Sequence, residues 1–249
     1  MLGAILGALG GGGAILAVPA LVYLLGVSPS SAVATSLVVV GLGAVSGLSR
    51  YARSGRVAWG MAVRFGVSGA FGSFLGVHAN QFVSGERLLA MLGALMLVAA
   101  ALMVRSPRIE QARASSASWK PWLFGLGVGV LTGFFGVGGG FVIVPALTLG
   151  LGLSMTFAAG TSLAIIVANS AAGLLGYAGH GAIDWAITAP VALGSVIGAI
   201  AGGQLAGRVQ DQVLRRGFAL MVSLVAVVLI YRNAMAWTSV AVIAGHLGG

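Results

Sequence analysis

Residues 133–147 read GFFGVGGGFVIVPAL, and residues 7–21 read GALGGGGAILAVPAL. Each stretch combines a glycine-rich turn, a short apolar run and the tetrapeptide Val-Pro-Ala-Leu, and Pro145 follows Pro19 by 126 residues. The same shift pairs the tripeptide Thr-Ser-Leu at 35–37 with that at 161–163. Because matched proline and threonine-serine positions are not a consequence of glycine-rich composition, the chain is predicted to contain an internal repeat.

The repeat divides the chain into four parts. Residues 1–104 form the first transmembrane repeat, and residues 121–232 form the second. Between them, residues 105–120 (RSPRIEQARASSASWK) are the long hydrophilic stretch expected of a solvated cytoplasmic linker. The apolar tail at 233–249 is too short to span a bilayer, and we expect it to lie at the membrane interface.

The composition indicates a helical membrane protein. Hydrophobic residues make up 59% of the chain and charged residues 7%, whereas soluble domains carry about a quarter charged residues. Apolar runs of about twenty residues, the length that crosses a bilayer core, recur along the chain. These runs are continuous and do not alternate with period two, which argues against a membrane β-barrel.

The charge balance and the residue types exclude several functions. The net charge of +9 fits the excess of basic residues in cytoplasmic loops, so we expect no nucleic-acid partner. The chain has no cysteine, which excludes disulfides and thiolate metal sites. No carboxylate lies at the centre of a predicted span, and no metal-ligand cluster, nucleophile triad or haem motif occurs. We therefore predict a protein that is not an enzyme and needs no cofactor or metal.

Two topologies fit the apolar segments, and they distribute the basic residues differently. If the first segment of each repeat crosses the membrane, the repeats are parallel, with eight basic residues on one side and four on the other. If these glycine-broken segments enter and return on one side, the repeats are inverted, with ten on the linker side and two opposite. The positive-inside rule favours the second arrangement. The ten are Arg50, Arg53, Arg56, Arg105, Arg108, Arg113, Lys120, Arg208, Arg215 and Arg216, and the two are Arg87 and Arg232.

The length of the second broken segment also favours inversion. Residues 121–152 would form about 48 Å of helix at about 1.5 Å per residue, which is too long for one upright span. Broken helices in inverted repeats are the architecture in which secondary transporters build substrate sites. We predict an all-α polytopic membrane protein with two inverted repeats, each with a glycine-broken re-entrant or discontinuous helix and three transmembrane helices.

The glycine-rich turns are the first candidates for a substrate site. Glycine permits backbone turns closed to other residues, and it exposes N–H groups at the positive end of the following half-helix. Two such turns would present N–H donors to an anion. The alternative is that the glycines only allow tight packing. The candidates are Gly12, Gly13 and Ala14 in the first repeat and Gly138, Gly139 and Gly140 in the second.

Six side chains complete the candidate site. The hydroxyls of Thr35, Ser36, Thr161 and Ser162 are neutral donors near the turns, although such hydroxyls also bond to carbonyls of their own helix. Asn169 is an amide inside an apolar span, where the first repeat has glycine. Arg64 is the one cation within a predicted span, where a charge indicates function unless it reaches the interface.

The paired motifs resemble a known family. The glycine-rich turn, the apolar run, Val-Pro-Ala-Leu and Thr-Ser-Leu, present twice, resemble the TauE/SafE sulfite exporters, also known as toluene-sulfonate uptake permeases. The resemblance covers nearly the whole chain, and the second copy (133–140) is closer to the family pattern than the first, which lacks its aromatic residues. It implies a transporter of sulfite, sulfonates or related sulfur-containing anions.

Together these observations predict a secondary transporter that moves a small sulfur-containing anion by alternating access. We place it in the cell's inner membrane as a multi-pass protein. A passive anion channel is the closest alternative, and a membrane scaffold for a partner protein, bound through the linker, is a third. The expected partners are a small anionic substrate and the lipid bilayer, whereas a coupling proton or ion, the oligomeric state and the direction of transport stay open.

Overall fold

The computed structural model describes residues 17–105 apart from 81 and 84, residues 119–136, 140–177 and 183–206, and short helical pieces between 212 and 228. This part of the chain is helical and contains no strand. Its helices are α1 (Ala17–Tyr23), α2 (Pro29–Arg53), α3 (Trp59–Asn80), α4 (Gly85–Arg105), α5 (Lys120–Phe135), α6 (Gly140–Pro145) with a π-helical extension (Ala146–Gly150), α7 (Met155–Tyr177) and α8 (Trp185–Ala206).

The helices confirm the predicted class of polytopic helical membrane protein. Among the described residues, three helical stretches are long and apolar enough to cross a bilayer: Ser31–Arg53, Trp59–Asn80 and Met155–Tyr177. Shorter apolar helices accompany them. Large hydrophobic side chains such as Phe71 and Leu193 remain exposed on the outside of the bundle, as expected for surfaces that contact lipid.

The helices α2 and α7, which are equivalent in the repeat, cross in opposite directions. A Cβ added at Gly47 would lie 3.3 Å from Leu163, and one added at Gly173 would lie 3.0 Å from Leu37. Residue numbers therefore rise along α2 as they fall along α7. The shift of 126 residues converts the first pair into the second, so the same contact occurs twice with the repeats exchanged. Antiparallel equivalent helices are what inverted repeats require.

Two helix pairs join the repeats: α3 packs on α7, and its equivalent α8 packs on α2. On α3, the Ser73 hydroxyl donates to the Asn169 carbonyl of α7 at 3.0 Å. On α8, the Thr188 hydroxyl lies 3.4 Å from that of Thr35 on α2. These exchanged pairings place the core between the four helices and make the two repeats one packed unit.

The helices α3 and α5 form a parallel pair with direct backbone contact. A Cβ added at Gly129 would meet the backbone of Gly69, and one added at Gly133 would meet the carbonyl oxygen of Ser73. Small residues at spacings of four allow helix backbones to approach closely in lipid. Gly72 and Gly76 belong to the same close contact, because Cβ atoms added there would collide with the α5 backbone.

After α5 the chain turns back on itself. Gly136 ends α5 in the left-handed conformation with a φ of 65°, which favours glycine. The returning segment brings Gly150 beside Phe124, because an added Cβ there would lie 2.8 Å from the Phe124 ring. Since Phe124 lies in the first turns of α5, the segment predicted to be re-entrant enters and returns at the same end of the bundle.

A proline explains the irregular geometry of the returning segment. Pro145 has no backbone N–H to continue the α-helical ladder, and the following residues form a π-helix. The Thr148 hydroxyl lies within hydrogen-bond distance of the carbonyls of Val144 at 2.9 Å and Pro145 at 3.2 Å. Side-chain bonding of this kind compensates for the interrupted ladder.

The bundle has two ends, which we name after one residue each. At the Arg56 end, α2 finishes, α3, α5 and α7 begin, and the Arg56 carbonyl packs on Gly160. At the Asn80 end, α3 and α7 finish and α2 and α8 begin. The side chain of Asn80 donates there to the Phe134 carbonyl at 2.6 Å.

Candidate substrate site

The middle of the bundle contains two buried polar side chains without a hydrogen-bond partner. Asn169 is fully buried, and neither its amide nitrogen nor its amide oxygen has a partner among the described residues. The neighbouring Ser170 hydroxyl is also buried and unpartnered. A buried amide offers two donors and one acceptor, and leaving them unsatisfied costs about 1–3 kcal/mol. Such groups in a native structure require an explanation, and a ligand is one.

Glycines of the neighbouring helices make room for both side chains. A Cβ added at Gly69 of α3 would lie 2.6 Å from the Asn169 amide oxygen, and one added at Gly41 of α2 would lie 3.2 Å from the Ser170 Cβ. Asn169 therefore faces α3 while Ser170 faces α2. The predicted ligand Asn169 lies at the contact of three helices, because α3 also carries the close pairing with α5.

At the equivalent contact between α2 and α8, the polar side chain lies on the other helix of the pair. The equivalent of Asn169 is the buried Gly43, and the equivalent of Gly69 is the buried Ser195. A polar side chain thus occurs once at each of the two related helix contacts, but on opposite partners. Only the second repeat has an amide at this position, so the site is asymmetric in chemistry although the backbone is repeated.

Of the six candidate residues in the two glycine-rich turns, the described part of the chain includes only Gly140. Gly140 begins α6 and is buried. Of the other candidates in the turns, Gly138 and Gly139 lie outside the described residues, as do Gly12, Gly13 and Ala14 of the first repeat.

Ser36 of the first repeat contacts the helix break of the second. Its hydroxyl lies within hydrogen-bond reach of the Gly136 carbonyl and, at 2.8 Å, of the Val33 carbonyl. A Cβ at Gly136 would lie 2.6 Å from the Cβ of Val33, which shows how closely the break packs on α2. Gly136, which ends α5, is therefore packed on the threonine-serine motif of the other repeat.

The two threonine-serine motifs lie towards opposite ends of the bundle. Thr161 is close to the Arg56 end, where its hydroxyl oxygen accepts a hydrogen bond from the Ala58 N–H at 3.0 Å. Ser162 donates to the Ala159 carbonyl at 2.8 Å within its own helix. Thr35 is close to the Asn80 end. Tyr51 of α2 lies beside Gly160 and so marks the level of Thr161 along α2. Thr35 precedes Tyr51 on α2 by about 24 Å, at about 1.5 Å per residue. The two motifs therefore do not converge on one ligand.

Arg64 lies away from these groups. It occupies the second turn of α3 near the Arg56 end, and its side chain is exposed. Asn169 is buried against Gly69 of α3, whereas Arg64 is exposed, so the structure separates the two residues. This position is compatible with a guanidinium that reaches the membrane interface.

Sequence analysis missed two polar residues that the structure makes prominent. Ser170 was one of several serines in the spans, and only its lack of a partner distinguishes it. Asn80 was not selected because it lies at the end of a span. Its amide ties α3 to α5, and the Tyr177 hydroxyl donates to its oxygen at 3.4 Å. An amide in an apolar helix was the signal that could have identified Asn80.

The comparisons with known proteins agree on a transporter. The family described as "Sulfite exporter TauE/SafE" matches residues 1–229. The chain is similar to a "Probable membrane transporter protein" of Xylella fastidiosa (strain 9a5c), with 37% identity over 96% of this chain and 94% of that protein. It is also similar to the "Probable membrane transporter protein YdhB" of Bacillus subtilis, with 26% identity over 93% of this chain and 97% of that protein.

A more distant relative extends the comparison to an archaeon. A "Probable membrane transporter protein" of Methanocaldococcus jannaschii is 30% identical over 70% of this chain and 67% of that protein. No solved structure matches the chain. The family match covers both repeats and confirms the resemblance expected from the twin glycine-turn motifs. This chain is a membrane transporter protein of the TauE/SafE sulfite exporter family.

Proposed function

We propose that this protein is a secondary transporter of small sulfur-containing anions, such as sulfite or a sulfonate, in the inner membrane of the cell. The observation that carries the proposal is the unpartnered amide of Asn169 in the middle of a membrane bundle. Its two N–H donors are suited to an oxoanion, because hydrogen bonds to charged acceptors are the stronger ones.

The neutral character of this site favours transport over permanent binding. A substrate must be bound well enough to enter and weakly enough to leave. The neutral donors of the Asn169 amide meet this requirement better than a buried cation would. The sulfur-containing substrate class is supported by the family description, whereas the site chemistry supports an oxoanion in general.

The alternating-access part of the proposal is supported by the arrangement of the repeats. We infer that the two repeats are inverted, because α2 and α7 run antiparallel and make the same contact twice. An inverted repeat allows the same rearrangement to open either end of a central site. We infer that the Arg56 end faces the cytoplasm, because the positive-inside rule favours that side for its arginines and for the basic linker.

The central test compares the two buried asparagines. In Asn169→Ala no hydrogen bond is lost, and removal of the unsatisfied amide offsets the cavity that alanine leaves. We therefore expect the melting temperature to be nearly unchanged but sulfite affinity to fall at least tenfold. In Asn80→Ala the lost amide was hydrogen bonded, so we expect lower stability and unchanged sulfite affinity. Calorimetry in detergent and thermal unfolding measure both quantities. Equal sulfite affinity in wild type and Asn169→Ala would remove Asn169 from the site.

A second measurement identifies the substrate class and separates a transporter from a channel. Purified protein is screened by thermal shift against sulfite, sulfate, thiosulfate, sulfoacetate, taurine and carboxylate analogues, because a ligand of the native state raises its stability. The best ligand is then tested in proteoliposomes. Saturable flux that a counter-gradient of the same anion accelerates supports alternating access. Flux that stays linear with concentration and ignores the counter-gradient would establish a channel.

A further inference from the structure

A second polar region lies at the Arg56 end and is separate from the central site. A cavity of about 470 Å³ opens there between the last two turns of α2 and the middle of α8. Its lining includes Arg50, Arg53 and Arg56, the buried ring of Tyr51, and Ala199 of α8. A volume of this size falls within the range of about 300–1,000 Å³ typical of small-ligand pockets.

The fold brings the three arginines together in two steps. Arg50 and Arg53 are three residues apart on one face of α2. After them, Gly55 has a φ of 66°, and the Arg56 N–H donates to the Tyr51 carbonyl at 3.0 Å. This helix ending folds Arg56 back over the last turn of α2.

Contacts from α7 hold the turn in this position. The Thr161 hydroxyl accepts a hydrogen bond from the Ala58 N–H just after the turn. The Arg56 carbonyl packs so closely on Gly160 that an added Cβ would collide with it. The position of Arg56 is thus fixed by a residue pair of the other repeat.

Among the described residues, no carboxylate neutralises the positive charge of the cavity. No acidic side chain lines it among the described residues. Asp184 is exposed at the Asn80 end, and Glu86 lies in the first turn of α4 at that same end. The other two acidic residues lie outside the described ranges. The C-terminus of α2 contributes a partial charge of about −0.5, which is small against three guanidinium groups.

Topology alone does not account for this arrangement. The positive-inside rule requires basic residues on the cytoplasmic side but not their convergence on a cavity. Lys120 meets the rule at the same end without lining the cavity. At the positions equivalent to the three arginines, the second repeat has Gly176, Gly179 and Ala182. The arginines are therefore a feature of one end only.

We propose that this cavity binds an oxoanion through the guanidinium groups of Arg50, Arg53 and Arg56. Guanidinium forks match the oxygen pairs of sulfonate, sulfite and phosphate groups, to which they form two parallel hydrogen bonds. The oxoanion comes either from the transported substrate, in which case the inference rests on the proposed function, or from the head group of an anionic lipid. In the first case the cavity captures the substrate on the cytoplasmic side of the central site.

The test isolates the cavity from the central site. In an Asn169→Ala background, sulfite binding is measured by calorimetry in detergent free of phospholipid. We expect binding to persist, to weaken as salt increases, and to fall at least tenfold when Arg50→Gln and Arg56→Gln are added. The matched control in the same background is Lys120→Gln, which removes a charge at the same end and should leave sulfite affinity unchanged.

A lysine variant guards against loss of insertion. In the same Asn169→Ala background, replacing all three arginines by lysine keeps the charge that sets topology but removes the fork. We expect a folded protein whose sulfite affinity lies between that of Asn169→Ala alone and that of the glutamine variant. The lipid source is tested in nanodiscs of phosphatidylcholine with and without phosphatidylglycerol. Stabilisation by phosphatidylglycerol that needs the arginines, without sulfite binding, assigns the cavity to a lipid head group.

The outcomes separate this inference from the proposed function. If the glutamine variant binds sulfite and responds to phosphatidylglycerol as the Lys120→Gln control does, the cavity is no oxoanion site, even if wild-type protein transports sulfite. If arginine-dependent binding is found but wild-type proteoliposomes show no flux of sulfur-containing anions, the cavity inference stands and the proposed function fails.

Discussion

The Arg56 end and the Asn80 end are built from equivalent helices but differ in their polar groups. Tyr51 and Tyr177 occupy the same position in the repeat. At the Arg56 end, Tyr51 borders a cavity with three arginines. At the Asn80 end, Tyr177 donates to Asn80, whose amide is bound in turn to the last turn of α5.

The difference shows that equivalent helices carry different polar side chains at the two ends of the bundle. The residue equivalent to Asn80 is Ala206, which cannot form the bond to a neighbouring helix. One end is therefore closed by hydrogen bonds and the other is open and cationic.

The largest expected effect is at the closed end. In Gly76→Ala the new Cβ would meet the Val130 carbonyl and lie 2.7 Å from the Phe134 nitrogen, both of them backbone atoms that cannot move aside. Overpacking of this kind costs about 1–3 kcal/mol, occasionally more. We expect a clearly lower free energy of unfolding in denaturant and a smaller yield of folded protein.

The control for this change is Gly127→Ala on α5, where an added Cβ has no neighbour within 4 Å. Alanine is the better helix former, so stability should be equal or slightly higher. If Gly76→Ala were as stable as Gly127→Ala, the direct backbone contact between α3 and α5 would be wrong.

The second effect tests the hydrogen bonds at the closed end. Asn80→Ala leaves the Phe134 carbonyl without its donor, which costs about 1–3 kcal/mol for a buried group. Tyr177→Phe should cost less, since its bond to Asn80 is long at 3.4 Å. The free energy of unfolding of the two variants and of their combination measures the coupling. Additive losses would show that the three groups do not act as one network.

The smallest effect compares the two equivalent threonines. Thr161→Val removes the acceptor for the Ala58 N–H, with an expected loss of about 0.5–1.5 kcal/mol. Thr35→Val should lose less, because the Thr188 hydroxyl that faces it at 3.4 Å already donates to the Asp184 carbonyl at 2.6 Å. Thermal unfolding of the two variants decides the order, and a larger loss for Thr35→Val would contradict it.

Much of the fold could be predicted from the sequence because its causes are local. The hydropathy of α2, α3 and α7 marks them as spans, and the glycines before Gly140 mark a break in the helix. The repeat was visible because it preserves spacing as well as residue type. The same signals gave Asn169 as a candidate, since an amide in an apolar segment is conspicuous without any structure.

What the sequence determined by itself was the membrane class, the repeat, the position of the helix break and the presence of polar groups in apolar segments. These follow from composition and spacing along one chain. The tertiary structure decided which groups meet: Ser36 with the break of the other repeat, Thr161 with the start of α3, and three arginines with one cavity. It also decided that the Asn169 amide has no hydrogen-bond partner within the described part of the chain. Such contacts depend on how helices far apart in sequence cross and on which backbones approach closely enough to exclude a side chain, and no local pattern encodes that.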